Sequence, residues 1–237
     1  MAQDHGHSPA EITERLANGS QTQYLREMVF GGIDGAVTTF AIVAGVEGAG
    51  LSHGIILALG AANILADGFS MAAGNYSGTK AEVDDRKRIV EIEERHIRFH
   101  RDGEIEELRQ ILHQRGLSGD VLEDATQAIA ADKKKWIDMM LTDEYGLPRD
   151  APAPFRAALA TFVAFLIAGS VPLLPFVFQM ENAFVVSVVA TLVTFFLIGT
   201  AKSIWSLAKW WWSGAETLLI GALAAGIAYF VGGLFHP

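Results

Sequence analysis

The chain has no cysteine, which excludes disulfides, thiolate metal sites and cysteine nucleophiles. It has no surplus of positive charge either. Its 18 Lys and Arg stand against 27 Asp and Glu, a net charge of -9, and this excludes nucleic acid as a partner, because phosphate binding needs a basic face. The first 22 residues contain neither the basic stretch nor the apolar stretch of a signal peptide, so no cleaved leader is expected. Charge is scarce outside one region: residues 79–152 are densely charged, and the flanking stretches are almost free of it. A single evenly mixed soluble domain does not have that division. Disorder is excluded as well, because long apolar runs do not stay solvated.

Those runs are what the chain does have. Hydrophobic residues make up 51% of it. A membrane-crossing helix takes about 20 mostly apolar residues, and five segments qualify: 28–46, 54–78, 157–178, 184–201 and 217–235. The last three contain no charged residue. The expected fold is therefore an all-α integral membrane protein with five transmembrane helices and a cytoplasmic helical domain between the second and third. Its parts are a tail (1–25), spans one and two (26–78), the insert (79–152) and spans three to five (153–237). Lys and Arg orient it. With the N-terminus in the cytosol, all 18 fall in 1–27, 79–156 and 202–216, and none falls in the connections on the other side. The C-terminus is then expected on the opposite side. Trp205, Trp210, Trp211 and Trp212 suit the aromatic belt of the cytosolic interface. A bacterial plasma membrane is the expected location.

Two acids lie inside apolar runs, Asp34 in the first and Asp67 in the second. A charge at that depth costs about 2.5–3.5 kcal/mol on insertion scales and normally faces a bundle interior or a watery path. Asn63, Asp67 and Met71 follow one another at i, i+4 and i+8, so they line one face of the second span. Amide, carboxylate and thioether are all metal ligands, and the thioether suits a transition ion rather than Mg²⁺ or Ca²⁺. Gly31 and Gly35 form a small-xxx-small pair that permits a close helix contact, which points to pairing of two copies. Pro172 and Pro175 are expected to kink the third span.

The second span shows no breaker, so its helix is expected to run on to Asp102-Gly103. Three shorter helices are expected after it: 104–115, from the Ser118–Asp120 cap to about 131, and 133–145. Spacing explains many charges of the insert as i, i+4 or i, i+3 pairs on a solvated surface: Glu82 with Arg86, Asp84 with Arg88, Glu91 with Arg95, Glu94 with Arg98 and Glu106 with Arg109. Glu93, Glu104, Glu107 and Glu144 are assigned no basic partner. Their helical neighbours are ligand types instead: His96 beside Glu93, Glu107 beside Glu104, Met140 beside Glu144. His100 follows His96 by one turn. This carboxylate, imidazole and thioether set suits Fe²⁺, Mn²⁺ or a similar ion. His5 and His7 in the tail are weaker ligand candidates.

The stretches GGIDGAVTTFAIVAG, ADGFSMAAGNYSGTKAE and WIDMMLTDEYGLP, in this order around a charged insert and followed by three more spans, resemble the vacuolar iron transporter family from about Arg26 to the end. The resemblance implies a homodimer of five-span subunits with the metal path between them. It also implies a cytoplasmic helical domain that collects metal, and export of Fe²⁺, in some members Mn²⁺, from the cytosol in exchange for protons. The family's first-span acid corresponds to Asp34 and its second-span Met to Met71. Its E-x-x-E pairs correspond to Glu93 with His96 and Glu104 with Glu107, and its Met-x-x-x-Glu to Met140 with Glu144. His96 and Asn63 stand where better-known members have Glu, and Asp67, one turn from Asn63, is a substitute acid. Two other classes stay open. One is a membrane-anchored di-iron ferroxidase, for which a second Glu-x-x-His would be needed. The other is a metal-binding sensor or scaffold anchored by its spans.

Overall fold

The structure is a computed structural model, and it describes residues 7–18, 24–148 and 151–234. His5 lies outside these residues. Every regular element among them is helical: α1 Pro9–Asn18, α2 Leu25–Gly48, α3 His53–Phe99, α4 Arg101–Gln114, α5 Gly119–Ala130, α6 Lys133–Asp143, α7 Pro154–Ser170, α8 Leu174–Val177, α9 Ala183–Lys202 and α10 Trp210–Gly233, with short 3-10 turns before α8 and after α9. Five stretches are long and apolar enough to cross a membrane: Leu25–Gly48, His53–Phe99, Pro154–Val177, Ala183–Lys202 and Trp210–Gly233. The chain divides into two compact units, Met1–Ser77 with Pro154–Pro237, and Gly78–Ala153.

In the first unit, α2 is the central helix and packs on α7, α9 and α10. The contact with α7 depends on missing side chains. A Cβ on Gly31 would stand 2.4 Å from the Thr161 carbonyl oxygen, and one on Gly35 would stand 2.5 Å from that of Phe165. The glycine pair is thus used inside the chain, which corrects its reading as a contact between two copies. The α3 helix is held to its neighbours by side chains. Asn63 donates to the Thr38 and Thr39 hydroxyls at 3.2 and 3.4 Å, and Asn75 donates to Thr161 Oγ1 at 2.7 Å. Large apolar residues such as Leu65, Phe69, Ile167 and Leu197 stay exposed, as a lipid-facing surface requires.

Two sequence expectations change. The fifth helix begins at Trp210 rather than 217. Glu216 therefore falls within it, and Lys202 Nζ stands 3.1 Å from its carboxylate. The α3 helix stops at Phe99, and Asp102 lies in the first turn of α4, where an acid favours the helix N-terminus and so starts a helix rather than ending one. Pro172 and Pro175 remove backbone donors, and the third span passes through a 3-10 turn at Val171–Leu173. The Pro172 carbonyl is taken up by Ser187 Oγ at 2.7 Å.

The second unit has its own apolar core, in which Ile89, Ile97, Leu108, Leu112, Leu122, Trp136, Ile137, Met140 and Leu141 are buried. Its turns use backbone that suits glycine: Gly116 ends α4 at φ +96° and Gly146 follows α6 at φ +66°. Asp132 caps α6 by accepting from the Lys134 and Lys135 amides.

The α2–α7 contact leads to a paired test. Gly35→Val is expected to lower the melting point of the detergent-solubilised protein, with an overpacking cost of about 1–3 kcal/mol. Gly45→Ala, where a Cβ meets nothing within 4 Å, is expected to leave the melting point unchanged or raise it.

Candidate functional site

The first cluster lies among the membrane-length helices. Asn63 fixes α3 against α2 by its bond to Thr38, and Thr38 Oγ1 in turn donates to the Asp34 carbonyl at 2.8 Å. One turn from that bond on each helix stand Asp34 and Asp67, and the two are close enough to feel each other's charge. Asp34 is half-buried beside a groove lined also by Arg26, Phe30, Val37 and Lys202. Met71, half-buried, is one turn further along α3. Asp67 is exposed, on a stretch of α3 that also exposes Leu59, Leu65 and Phe69. The role of Thr38 is not legible in the sequence, since a threonine in an apolar run carries no signal of its own.

The second cluster is in the helical unit 78–153, and helical periodicity explains how it is built. Ile89, Glu93 and Ile97 are four residues apart on α3, so Glu93 occupies a core position between two buried isoleucines. Glu104 heads the Leu108–Leu112 stripe of α4, and Glu144 continues the Trp136–Met140 stripe of α6. Glu93 is 0% exposed and Glu104 7%. One oxygen of each, Oε2, is buried without a hydrogen-bond partner among the described residues. A buried charge without a partner is strongly unfavourable, and native interiors leave few polar groups in that state.

Around these two acids the structure gathers part of the expected set. His96, which is 47% exposed, places Nδ1 3.4 Å from Glu104 Oε1 and 3.9 Å from Glu93 Oε1. Glu107 and Glu144 are near enough to act on Glu104 by charge. Met140 is fully buried in the core one turn before Glu144. His100 is exposed at the start of α4, with its ring 6.4 Å from that of His96. His7 is exposed and apart from both clusters in sequence. Tyr145 escapes the sequence reading: its hydroxyl donates to Glu93 Oε1 at 2.9 Å. No group of three or more His, Asp or Glu side chains among the described residues is gathered tightly enough to enclose an ion. What the structure brings together are pairs.

The expected surface pairing is largely different. Glu106 with Arg109 forms at 2.8 Å. Asp84 takes Lys80 and Lys87, Arg88 takes Asp85, Glu94 takes Lys133, and Arg86 donates to the Pro148 carbonyl. Arg101, three residues before Glu104 and within its reach by spacing, instead donates to the Ala130 carbonyl and lies over the Trp136 ring at 5.1 Å. Glu104 is thus left without a cation from its own helix.

Burial, followed by the charges of Glu93 and Glu107, raises the Glu104 carboxyl from its ordinary 4.5 to about 7. Glu144 is raised by burial and by Glu107 and Glu93. In the window between 4.5 and about 7, the folded chain holds a Glu104 proton that the unfolded chain has released, so stability falls as pH rises through it. The protein kept free of divalent metal by chelation is therefore expected to melt lower at pH 7.5 than at pH 5.5. Glu104→Gln is expected to flatten that slope, read from thermal melts across the pH series.

The fold and its intramembrane acids define a polytopic α-helical membrane protein. The chain belongs to the VIT family, which it matches over residues 25–233. It is 32% identical to vacuolar iron transporter 1 of Eucalyptus grandis over 239 residues, covering 96% of this chain and 95% of that one. It is 33% identical to vacuolar iron transporter 1 of Arabidopsis thaliana, covering 87% and 84%. The vacuolar iron transporter of Toxoplasma gondii is 31% identical, covering 92% and 76%.

Proposed function

We propose that the chain carries Fe²⁺, and also Mn²⁺, out of the cytosol. The observation that supports this most directly is the pair of buried carboxylate oxygens, Glu93 Oε2 and Glu104 Oε2, that have no hydrogen-bond partner among the described residues. A divalent cation satisfies both at once, and the relatives that the chain matches are named as iron transporters. His96 supplies an imidazole nitrogen next to Glu104, which favours transition ions over Mg²⁺. Its exposed ring is free to turn toward an ion. Glu107, Glu144, Met140 and His100 complete the capture set of the cytosolic insert.

Transport runs through Asp34, Asp67 and Met71. The carboxylates of Asp34 and Asp67 hold either a cation or a proton, so loading and protonation exclude each other, and proton entry drives metal exit. A second copy of the chain covers the open face of α3. Asp67 is exposed on that face, and an acid turned to lipid carries the insertion cost of about 2.5–3.5 kcal/mol. The Lys and Arg distribution supports an insert on the cytosolic side. A bacterial plasma membrane is kept as the proposed location.

The test is Fe²⁺ uptake into proteoliposomes in which the insert faces the outer solution, driven by an acidic lumen. Inward flux is expected to need the pH gradient and to fall at least tenfold in Asp34→Asn. Flux of Asp34→Asn equal to that of the parent contradicts the assignment. Mn²⁺ is expected to compete with Fe²⁺ in the same assay.

A further inference from the structure

We propose that Tyr145 sets the ion preference of the insert by keeping one oxygen of Glu93 out of reach. This rests on the reading of the insert as an ion-capturing site. Tyr145 donates a hydroxyl hydrogen bond to Glu93 Oε1 at 2.9 Å, and the Glu144 carboxylate is near enough to interact with the same hydroxyl. Tyr145 and Glu93 are 52 residues apart in the chain, so this bond ties the end of α6 to the middle of the acid-bearing face of α3. Glu93 has no freedom to answer by turning outward, because its side chain is 1% exposed between Ile89 and Ile97. One oxygen is therefore committed to the phenol, and Oε2 is the oxygen left without a partner.

A carboxylate held in this way offers a cation one unengaged oxygen, Oε2, and an Oε1 whose orientation and one of whose lone pairs the phenol already holds. That matters unequally to different ions. Ca²⁺ needs six to eight oxygen ligands at roughly 2.3–2.6 Å and commonly takes carboxylates through both oxygens. Fe²⁺ and Mn²⁺ need fewer, and they accept the imidazole of His96 as one of them. Holding Glu93 to a single unengaged oxygen thus penalises Ca²⁺ more than the transition ions. Tyr145 acts through Glu93 and is a positioning residue; no contact of its own with the ion is required. Tyr145 is 36% exposed, so removing its hydroxyl leaves the core of the unit in place.

The experiment compares the full-length protein with Tyr145→Phe and Tyr145→Leu in detergent. Mn²⁺ binding is titrated by electron paramagnetic resonance, with Ca²⁺ as competitor. Glu104→Gln identifies the Mn²⁺ bound by the insert. Infrared difference spectra of the Mn²⁺-loaded and Ca²⁺-loaded forms report whether carboxylates bind through one oxygen or two. Freeing Oε1 is expected to lower the ratio of Ca²⁺ to Mn²⁺ dissociation constants about tenfold in both variants, the low end of what outer-shell partners of metal ligands are worth. A two-oxygen carboxylate signature is expected to appear with Ca²⁺ that is weak in the parent. An unchanged ratio and unchanged carboxylate bands, with insert binding intact, overturn the proposal for Tyr145 and leave the capture site standing. A parent protein with no Mn²⁺ signal sensitive to Glu104→Gln overturns both.

Discussion

The structure depends on a constraint that helical periodicity imposes on the unit 78–153: acids stand where apolar core residues belong. Glu93 lies between Ile89 and Ile97 on one stripe, and Glu104 and Glu144 extend the stripes that bury Leu108 and Met140. The remaining core, centred on Trp136, Leu108 and Leu141, has to hold the fold together against these groups. Like charges brought close in a weakly solvated site repel one another, and each lacks the full shell of donors that water provides. A proton, a hydrogen bond or a cation relieves such a site. Among the described residues, Tyr145 supplies a hydrogen bond and His96 an imidazole. The remaining acceptor capacity is what the proposed ion capture rests on.

The membrane-length helices follow the same logic in a different solvent. Apolar faces of α3 are left open, while its polar groups are directed to named partners: Asn63 to Thr38 and Thr39, Asn75 to Thr161. The Asn63–Thr38 bond fixes the register of α3 on α2, and that register brings Asp67 into the field of Asp34. Two glycines let α2 approach the α7 backbone closely, which gives the acid-bearing helix a rigid support. An acid pair at this depth is expensive unless it faces a bundle interior or a watery path.

Much of this is legible in the sequence because apolar length and helical period are local properties. The five spans, the helices of the insert and the turn at Gly116 are of that kind. Partner choice is less legible. Spacing alone pairs Glu94 with Arg98, but Lys133 reaches it from another helix. Spacing also puts Arg101 near Glu104, but Trp136 and the Ala130 carbonyl hold it instead. Gly31 and Gly35 announce a close contact without saying with which helix. Tyr145 is invisible for the same reason, as its bond to Glu93 crosses 52 residues of chain. A further signal does lie in the sequence: Glu93, Glu104 and Glu144 fall in register with apolar stripes, and periodicity alone marks them as core-facing.

The central claim is that a divalent cation satisfies the orphaned oxygens of Glu93 and Glu104. Anomalous X-ray diffraction at the manganese edge, from crystals of the protein grown with Mn²⁺, tests it most directly. The account predicts an anomalous peak within coordination distance of Glu93 Oε2 and Glu104 Oε2, with His96 turned toward it. Manganese found only at other positions, with those two oxygens still facing no ion, would contradict it.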